Sequence, residues 1–241
     1  VETYDYYGWD ISDKTPLYKK LLEQNSNIVE EDYDAIDRLI NQFVKNKSVA
    51  LDIGCHYGFT TKFLCSKFAH VHAFDFDNHV HECAKLNMKK FNVTNATFHP
   101  YGLGKDNKSV AITNVVQKLK RKTNGKIKRW AVVGDIGTHV DTKNQEDKTQ
   151  NIKTLDSLNI TNIGLMMIDT EGYELHVIKG ARETIARDKP VIVCEYHKGK
   201  KLTRRYGYYA RDITEYLREL GYKSIGHINR ADKLFVHEGV Q

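Results

Sequence analysis

Apolar positions along this 241-residue chain change period several times, and each change marks an expected element. Through the first 45 residues an aromatic opening (Tyr4, Tyr6, Tyr7, Trp9) leads into Tyr33, Ile36, Leu39, Ile40, Phe43 and Val44 at helical spacing. This predicts a helical cap over 1–46. From residue 48 the pattern alternates. SVALDIG is a short strand ending in glycine, and GFTTKFLCSKF sets Phe59, Phe63 and Leu64 on one helical face. HVHAFDFD reads as a second strand, HVHECAKLNMKKF as a second helix with Cys83, Leu86 and Met88 partly buried, and ATFHPYGLG as a third strand and turn.

After Gly104 the alternation pauses. SVAITNVV and KRWAVVGD read as strands flanking the turn KLKRKTNGK, an inserted hairpin at about 106–150. NIGLMMIDTEG gives a nearly all-apolar fourth strand, YELHVIKGARETIARD a helix with Leu175, Ile178, Ala181 and Ile185 inward, and PVIVCEYH a fifth strand. Fully apolar strands suit the middle of a sheet covered on both faces. ARDITEYLRELGYKSIGHI and DKLFVHEG then read as a helix and two strands closed by a polar turn, an antiparallel hairpin. Strands separated by helices require crossovers, so the expectation is one α/β domain with a mostly parallel sheet. Its core spans 47–228 and its closing strand 229–241.

Composition narrows this only modestly. With 40% hydrophobic residues the chain can bury one ordinary core. No apolar run approaches the roughly 18 residues of a membrane span, and VETYDYYGWD is not laid out as a signal peptide. A soluble cytoplasmic protein is expected. Cys55, Cys65, Cys83 and Cys194 form no CxxC pair and read as small buried hydrophobes. Five N-x-S/T sequons, at Asn46, Asn92, Asn95, Asn107 and Asn159, carry little weight without a secretory signal. The net charge of +6 is local: Lys118–Arg129 holds seven basic residues and Lys198–Arg205 five, neither with an acid. The other 25 basic residues are outnumbered by 31 acids. Such segments either gather an anionic partner near a cleft or are solvated loops.

Chemistry enters at the first strand-to-helix loop. In a doubly wound sheet this loop is glycine-rich so that a cofactor can approach the backbone. LDIGCHYGF supplies Gly54 and Gly58, with Asp52 at the strand end to hold a cationic amino group. Asp75 ends the next strand, 21 residues beyond Gly54, where an acid can accept both ribose hydroxyls. An adenosine cofactor is indicated. GxGxxG is absent, and the D-x-G-x-x-x-G order suits a ligand with an amino-acid tail better than a pyrophosphate. The lack of a Walker lysine argues against an NTPase.

LDIGCHYGF, HAFDFD, IKTLDSL and above all MMIDTEGYELHVIKGARETIARDKPVIVCEYH resemble the FkbM family of methyltransferases, in order and spacing, across roughly 48–225. The resemblance implies a Rossmann-like class I methyltransferase fold: seven strands, the last antiparallel, with S-adenosylmethionine as cofactor and S-adenosylhomocysteine as product. It also implies O-methylation of sugars or natural products. Carried over by position, Asp52, Gly54, Gly58 and Asp75 would bind cofactor, and Asp169, Glu171 and Gly172 would form the loop beside the reacting methyl group. Cys55, His56, Phe76 and Gly102 complete the cofactor candidates, with Asp169 counted in both sets. His56 stands where the family usually has asparagine.

Methyl transfer to a hydroxyl requires alignment and a base. Asp169 and Glu171 follow the fourth strand and Glu195 and His197 the fifth, so these four are the catalytic candidates. His197 has a suitable intrinsic pKa but lies beside a basic loop, where surface or packing histidines are common. No dense oxygen-ligand cluster appears, so no metal is expected. The leading expectation is a small-molecule or glycan acceptor, an anionic one included. RNA ribose 2′-O-methylation and a non-catalytic adenosine-binding module are the alternatives. A DPPY-like strand-four motif and a Pro-Cys dipeptide are both absent, which argues against methylation of bases.

Overall fold

The computed structural model describes residues 3–6, 8–12, 33–114, 138–140, 149–196, 206–229 and 231–239. Its central strands are β3 (Val49–Ile53), β4 (His70–Phe74), β5 (Ala96–His99), β10 (Ile163–Ile168), β11 (Val191–Glu195), β12 (Tyr222–His227) and β13 (Asp232–His237). They lie in the order β5-β4-β3-β10-β11-β13-β12. Neighbours are parallel from β5 to β11, and β13 runs antiparallel to both β11 and β12. This is the expected class I methyltransferase arrangement.

Period-two burial explains why both faces are covered. On one face Leu51, Ile53, Met166, Ile168, Ile192, Cys194 and Phe235 join a core with Leu175 and Ile178 of α4 (Glu174–Lys179), Ile185 of α5 (Arg182–Asp188), and Ile213 and Leu217 of α6 (Ala210–Glu219). On the other face Ala50, Leu165, Val191, Val193 and Leu234 pack with Leu39 and Ile40 of α1 (Asp34–Phe43) and Leu64 of α2 (Phe59–Cys65). Helix α3 (Asn78–Lys90) follows β4 and is capped by Asp77, whose carboxylate accepts from the His79 and Val80 amides. Each fully buried aliphatic side chain contributes about 1.5–3 kcal/mol.

The N-terminal reading needs correction. Helix α1 lies inside the expected cap, but β1 (Thr3–Tyr6) and β2 (Trp9–Ser12) form an antiparallel hairpin where helix was expected. Aromatic residues favour strand, and Gly8 at φ +85° permits the tight turn between Tyr6 and Trp9. Among the described residues of this stretch, helix is found at Asp34–Phe43. The hairpin docks on α3: the Trp9 ring lies 4.4 Å from Phe59 and 4.6 Å from Phe91. Buried Asn87 accepts from the Asp10 amide at 2.6 Å and donates to the Asp10 and Tyr57 carbonyls at 3.1 and 3.0 Å.

The expected insert belongs to a second sheet, ordered β6-β9-β7-β8. It comprises β6 (Gly102–Leu103), β7 (Lys108–Asn114), β8 (Thr138–Val140) and β9 (Thr149–Lys153). Strand β9, which has no clear periodicity, was not expected. KRWAVVGD, both basic segments and His197 lie outside the described residues. No described helix is long and apolar enough to cross a membrane.

Candidate active site

The strand order reverses between β3 and β10, so the loops that follow these two strands sit side by side. Such a crevice is where ligands of open α/β sheets bind. The two loops are knitted together by the Asp169 amide, which donates to the Ile53 carbonyl at 2.9 Å. Gly54 has φ +93°, and a Cβ there would come within 1.7 Å of the Asp169 carbonyl oxygen. Its bareness is thus demanded by the neighbouring strand, before any ligand arrives. Gly58, at φ +86°, opens α2, and a Cβ on it would press on Met88 Cε at 3.1 Å.

Between these glycines the loop turns inward. The Gly54 and Cys55 amides both donate to the Phe74 carbonyl, at 2.9 and 3.0 Å. The Cys55 thiol is buried, and burial, followed by the Asp75 and Asp52 charges, holds its pKa well above the ordinary thiol value. Cys55 is therefore part of the loop's internal packing. Asp52 is likewise buried and accepts from Thr61 Oγ1 at 2.5 Å, tying β3 to α2.

His56 adopts φ +49°, a left-handed conformation tolerated best by glycine, asparagine, aspartate and histidine. Its ring packs edge-on against Tyr57 at 4.1 Å, and burial lowers its pKa to about 4. Its amide donates to Asp75 Oδ2 at 3.0 Å, while the Asp77 amide donates to Oδ1 at 2.9 Å. The two loops therefore hold Asp75 from both sides. Burial raises the Asp75 pKa to about 6. Phe76 follows it, and a Cβ on Gly102 would come 2.8 Å from the Phe76 ring. The structure thus gathers His56, Asp75, Phe76 and Gly102 on one side of the glycine loop.

On the other side, Asp169 and Glu195 end adjacent parallel strands, β10 and β11, and their side chains hydrogen-bond to each other. Lost hydration in this crowded mouth, then the Glu195 carboxylate, push the Asp169 pKa well above the ordinary value. Burial, then the Glu174 and Asp232 carboxylates, raise Glu195 to about 8. Two carboxyl groups in contact resist losing both protons, so ionisation of one raises the pKa of the other.

Glu171 (φ +52°) and Gly172 (φ +96°) form the turn between Asp169 and α4. The buried Glu174 carboxylate fixes this turn, accepting from the Gly172 amide at 2.9 Å and from the Thr170 amide and hydroxyl at 3.2 Å. The Tyr208 hydroxyl lies 2.6 Å from the Gly172 carbonyl and 3.0 Å from Glu174 Oε2. Sequence reasoning missed both residues. Glu174 had a legible signal, an acid in the first turn of a helix just after a glycine turn. Tyr208 is 34 residues further on and had none.

Away from these strand ends, a cavity of about 490 Å³ on the small sheet is lined by Lys108, Asn151, Lys153 and Ser157 among others, and none of the candidate residues line it.

The family described as Methyltransferase FkbM domain matches residues 52–224. Among solved structures, the FkbM methyltransferase of Methylobacillus flagellatus KT matches with a TM-score of 0.50 and 14% identity over 97% of this chain and 61% of its own. The present chain thus spans about three fifths of that protein. A Streptococcus mutans protein solved in complex with SAH matches with a TM-score of 0.50 and 12% identity, over 85% of this chain and 96% of its own. No curated protein matches.

Proposed function

Because the chain belongs to the FkbM methyltransferase family, we propose that it methylates a hydroxyl oxygen of a sugar, glycan or related polyhydroxylated acceptor, with S-adenosylmethionine as cofactor and S-adenosylhomocysteine as product. The observation that carries the hydroxyl reading is the contacting pair of carboxyl groups, Asp169 and Glu195, beside the glycine loop. An alcohol must lose a proton as its oxygen is methylated. A carboxylate raised toward 8 is a stronger acceptor than an ordinary one, and a base works best near the operating pH.

The residues fit the cofactor. The Asp75 carboxylate takes the His56, Asp77 and Phe76 amides and keeps acceptor capacity for a ribose hydroxyl. Phe76 and Gly102 lie next to it, where a flat base can stack. The similar Streptococcus mutans protein was solved with the corresponding product. When bound, the cofactor supplies an electrophilic methyl group on a cationic sulfonium.

The rest of the work falls to this chain's side chains. The Asp169–Glu195 pair receives the acceptor proton, and the Glu174–Tyr208 bracket keeps the 169–172 turn from drifting. Misplacement of a reacting group by about 1 Å can cost on the order of 100-fold in rate. Asp169, Glu174, Glu195 and Asp232 together make the mouth acidic, which favours a neutral polyol over the anionic acceptor that the basic segments suggested.

The test is an acceptor screen with labelled methyl donor, comparing glycans with RNA, alongside calorimetry with S-adenosylhomocysteine. Product binding with label in a glycan hydroxyl is the expected result. Absence of product binding would sink the cofactor assignment, label in RNA alone would replace the acceptor class, and binding without any labelling would leave a binding module.

A further inference from the structure

The β4–β5 edge of the central sheet carries a row of imidazoles that the methyl-transfer site does not use. His70, His72 and Phe74 alternate along β4, and Thr97 and His99 alternate along β5, in a register that pairs His72 with Thr97 and Phe74 with His99. All three histidines are half-buried. His72 Nδ1 lies 2.9 Å from His99 Nε2, and the far nitrogen of His99, Nδ1, is 3.0 Å from the Tyr101 hydroxyl. His70 Nε2 is engaged with Thr97 Oγ1 at 2.9 Å.

We propose that His72 and His99 are the two protein ligands of a divalent late first-row transition-metal ion, of the zinc, nickel or copper type. The ion takes the place of the proton the two rings share and clips edge strand β5 to β4. It is a site separate from the methyl-transfer chemistry and does not depend on that reading.

Two observations carry it. First, the ring centres of His72 and His99 are 5.2 Å apart. Two imidazoles on one tetrahedral ion keep about the same separation, given a metal–nitrogen distance of about 2.05 Å and about 1.15 Å more to each ring centre. The rings need only turn in place. Second, a ligating histidine is oriented by a partner on its other nitrogen, and Tyr101 already fills that role for His99.

Nitrogen donors without thiolate or a carboxylate cage suit late first-row ions and not magnesium or calcium. Among the described residues no group of three or more His, Cys, Asp or Glu side chains is placed to hold a metal, so water completes the coordination. Affinity is accordingly that of a two-point site.

The experiment titrates the full chain separately with zinc, nickel and copper(II) chloride by calorimetry, and records the copper(II) electron paramagnetic resonance spectrum. Wild type is expected to bind one equivalent, to show coupling to two nitrogens, and to gain thermal stability on loading. His72→Gln and His99→Gln are each expected to weaken binding at least about tenfold. His227→Gln, exposed on β12, should leave it unchanged. Circular dichroism of the unloaded variants separates lost ligation from lost folding, and either folded variant suffices. No binding of any of the three ions by wild type, or undiminished binding in a folded His72 or His99 variant, overturns the proposal.

Discussion

Asp75 illustrates what one residue's surroundings add to its identity. Its position at a strand end is legible in the sequence, but its elevated pKa is not, because that comes from burial by loops distant in the chain. The sign of the effect on ligand binding is definite. In the proposed cofactor complex the ionised carboxylate would accept the ribose hydroxyls, and with a pKa of about 6 it is ionised above that pH and protonated below. Affinity for S-adenosylhomocysteine should therefore fall as pH drops through about 6. Asp75→Ala should weaken binding at least about tenfold, near 1.4 kcal/mol, and remove that pH dependence. Calorimetry across a pH series measures both. The Asp169–Glu195 pair makes a second prediction of definite sign. Replacing Glu195 by glutamine removes a neighbouring negative charge, so Asp169 ionises more easily. The acid limb of the kcat/KM profile should move to lower pH, whereas Asp169→Asn should lower the rate by about 10²–10⁴. Gly54 is a quieter case: the sequence predicts its positive φ, but the carbonyl it must clear belongs to Asp169.

Among the elements, those with clean periodicity were readable and those defined by their partners were not. β10, and β11 up to its terminal Glu195, are apolar because helices cover both faces, and their sequences say so. β9 reads TQNIK, without alternation, and is a strand because β6 and β7 flank it with free hydrogen-bonding edges. The opening hairpin was hidden by the helical spacing that follows it. The bracket between α4 and the start of α6 is likewise tertiary. Tyr208→Phe removes the hydroxyl near the Gly172 carbonyl and leaves a buried Glu174 oxygen short of a donor. A cost of about 1–3 kcal/mol in urea unfolding is expected. Because the bracket holds the 169–172 turn, kcat should fall more than affinity for S-adenosylhomocysteine does. Equal losses in both would assign Tyr208 to stability alone.

At the scale of the molecule, the topology puts the last strand inside the sheet. β13 lies between β11 and β12 and pairs with both, so the sheet cannot close until residues 232–237 have been made. Truncation after Gly221 removes β12 and β13 and uncovers the whole β11 edge along with its apolar faces. Such a variant should lose cooperative unfolding and aggregate, as seen by circular dichroism and light scattering. A variant that melted as sharply as wild type would show that the hairpin is an ornament. The sequence by itself determined the parallel α/β core, the cofactor loop and the acids at the strand ends, because hydrophobic period and glycine spacing are local properties. Only the tertiary structure decided that Asp169 and Glu195 meet, that Glu174 and Tyr208 brace the turn after Asp169, and that His72 faces His99. Those are distances between residues far apart in the chain, and strand order and register set them.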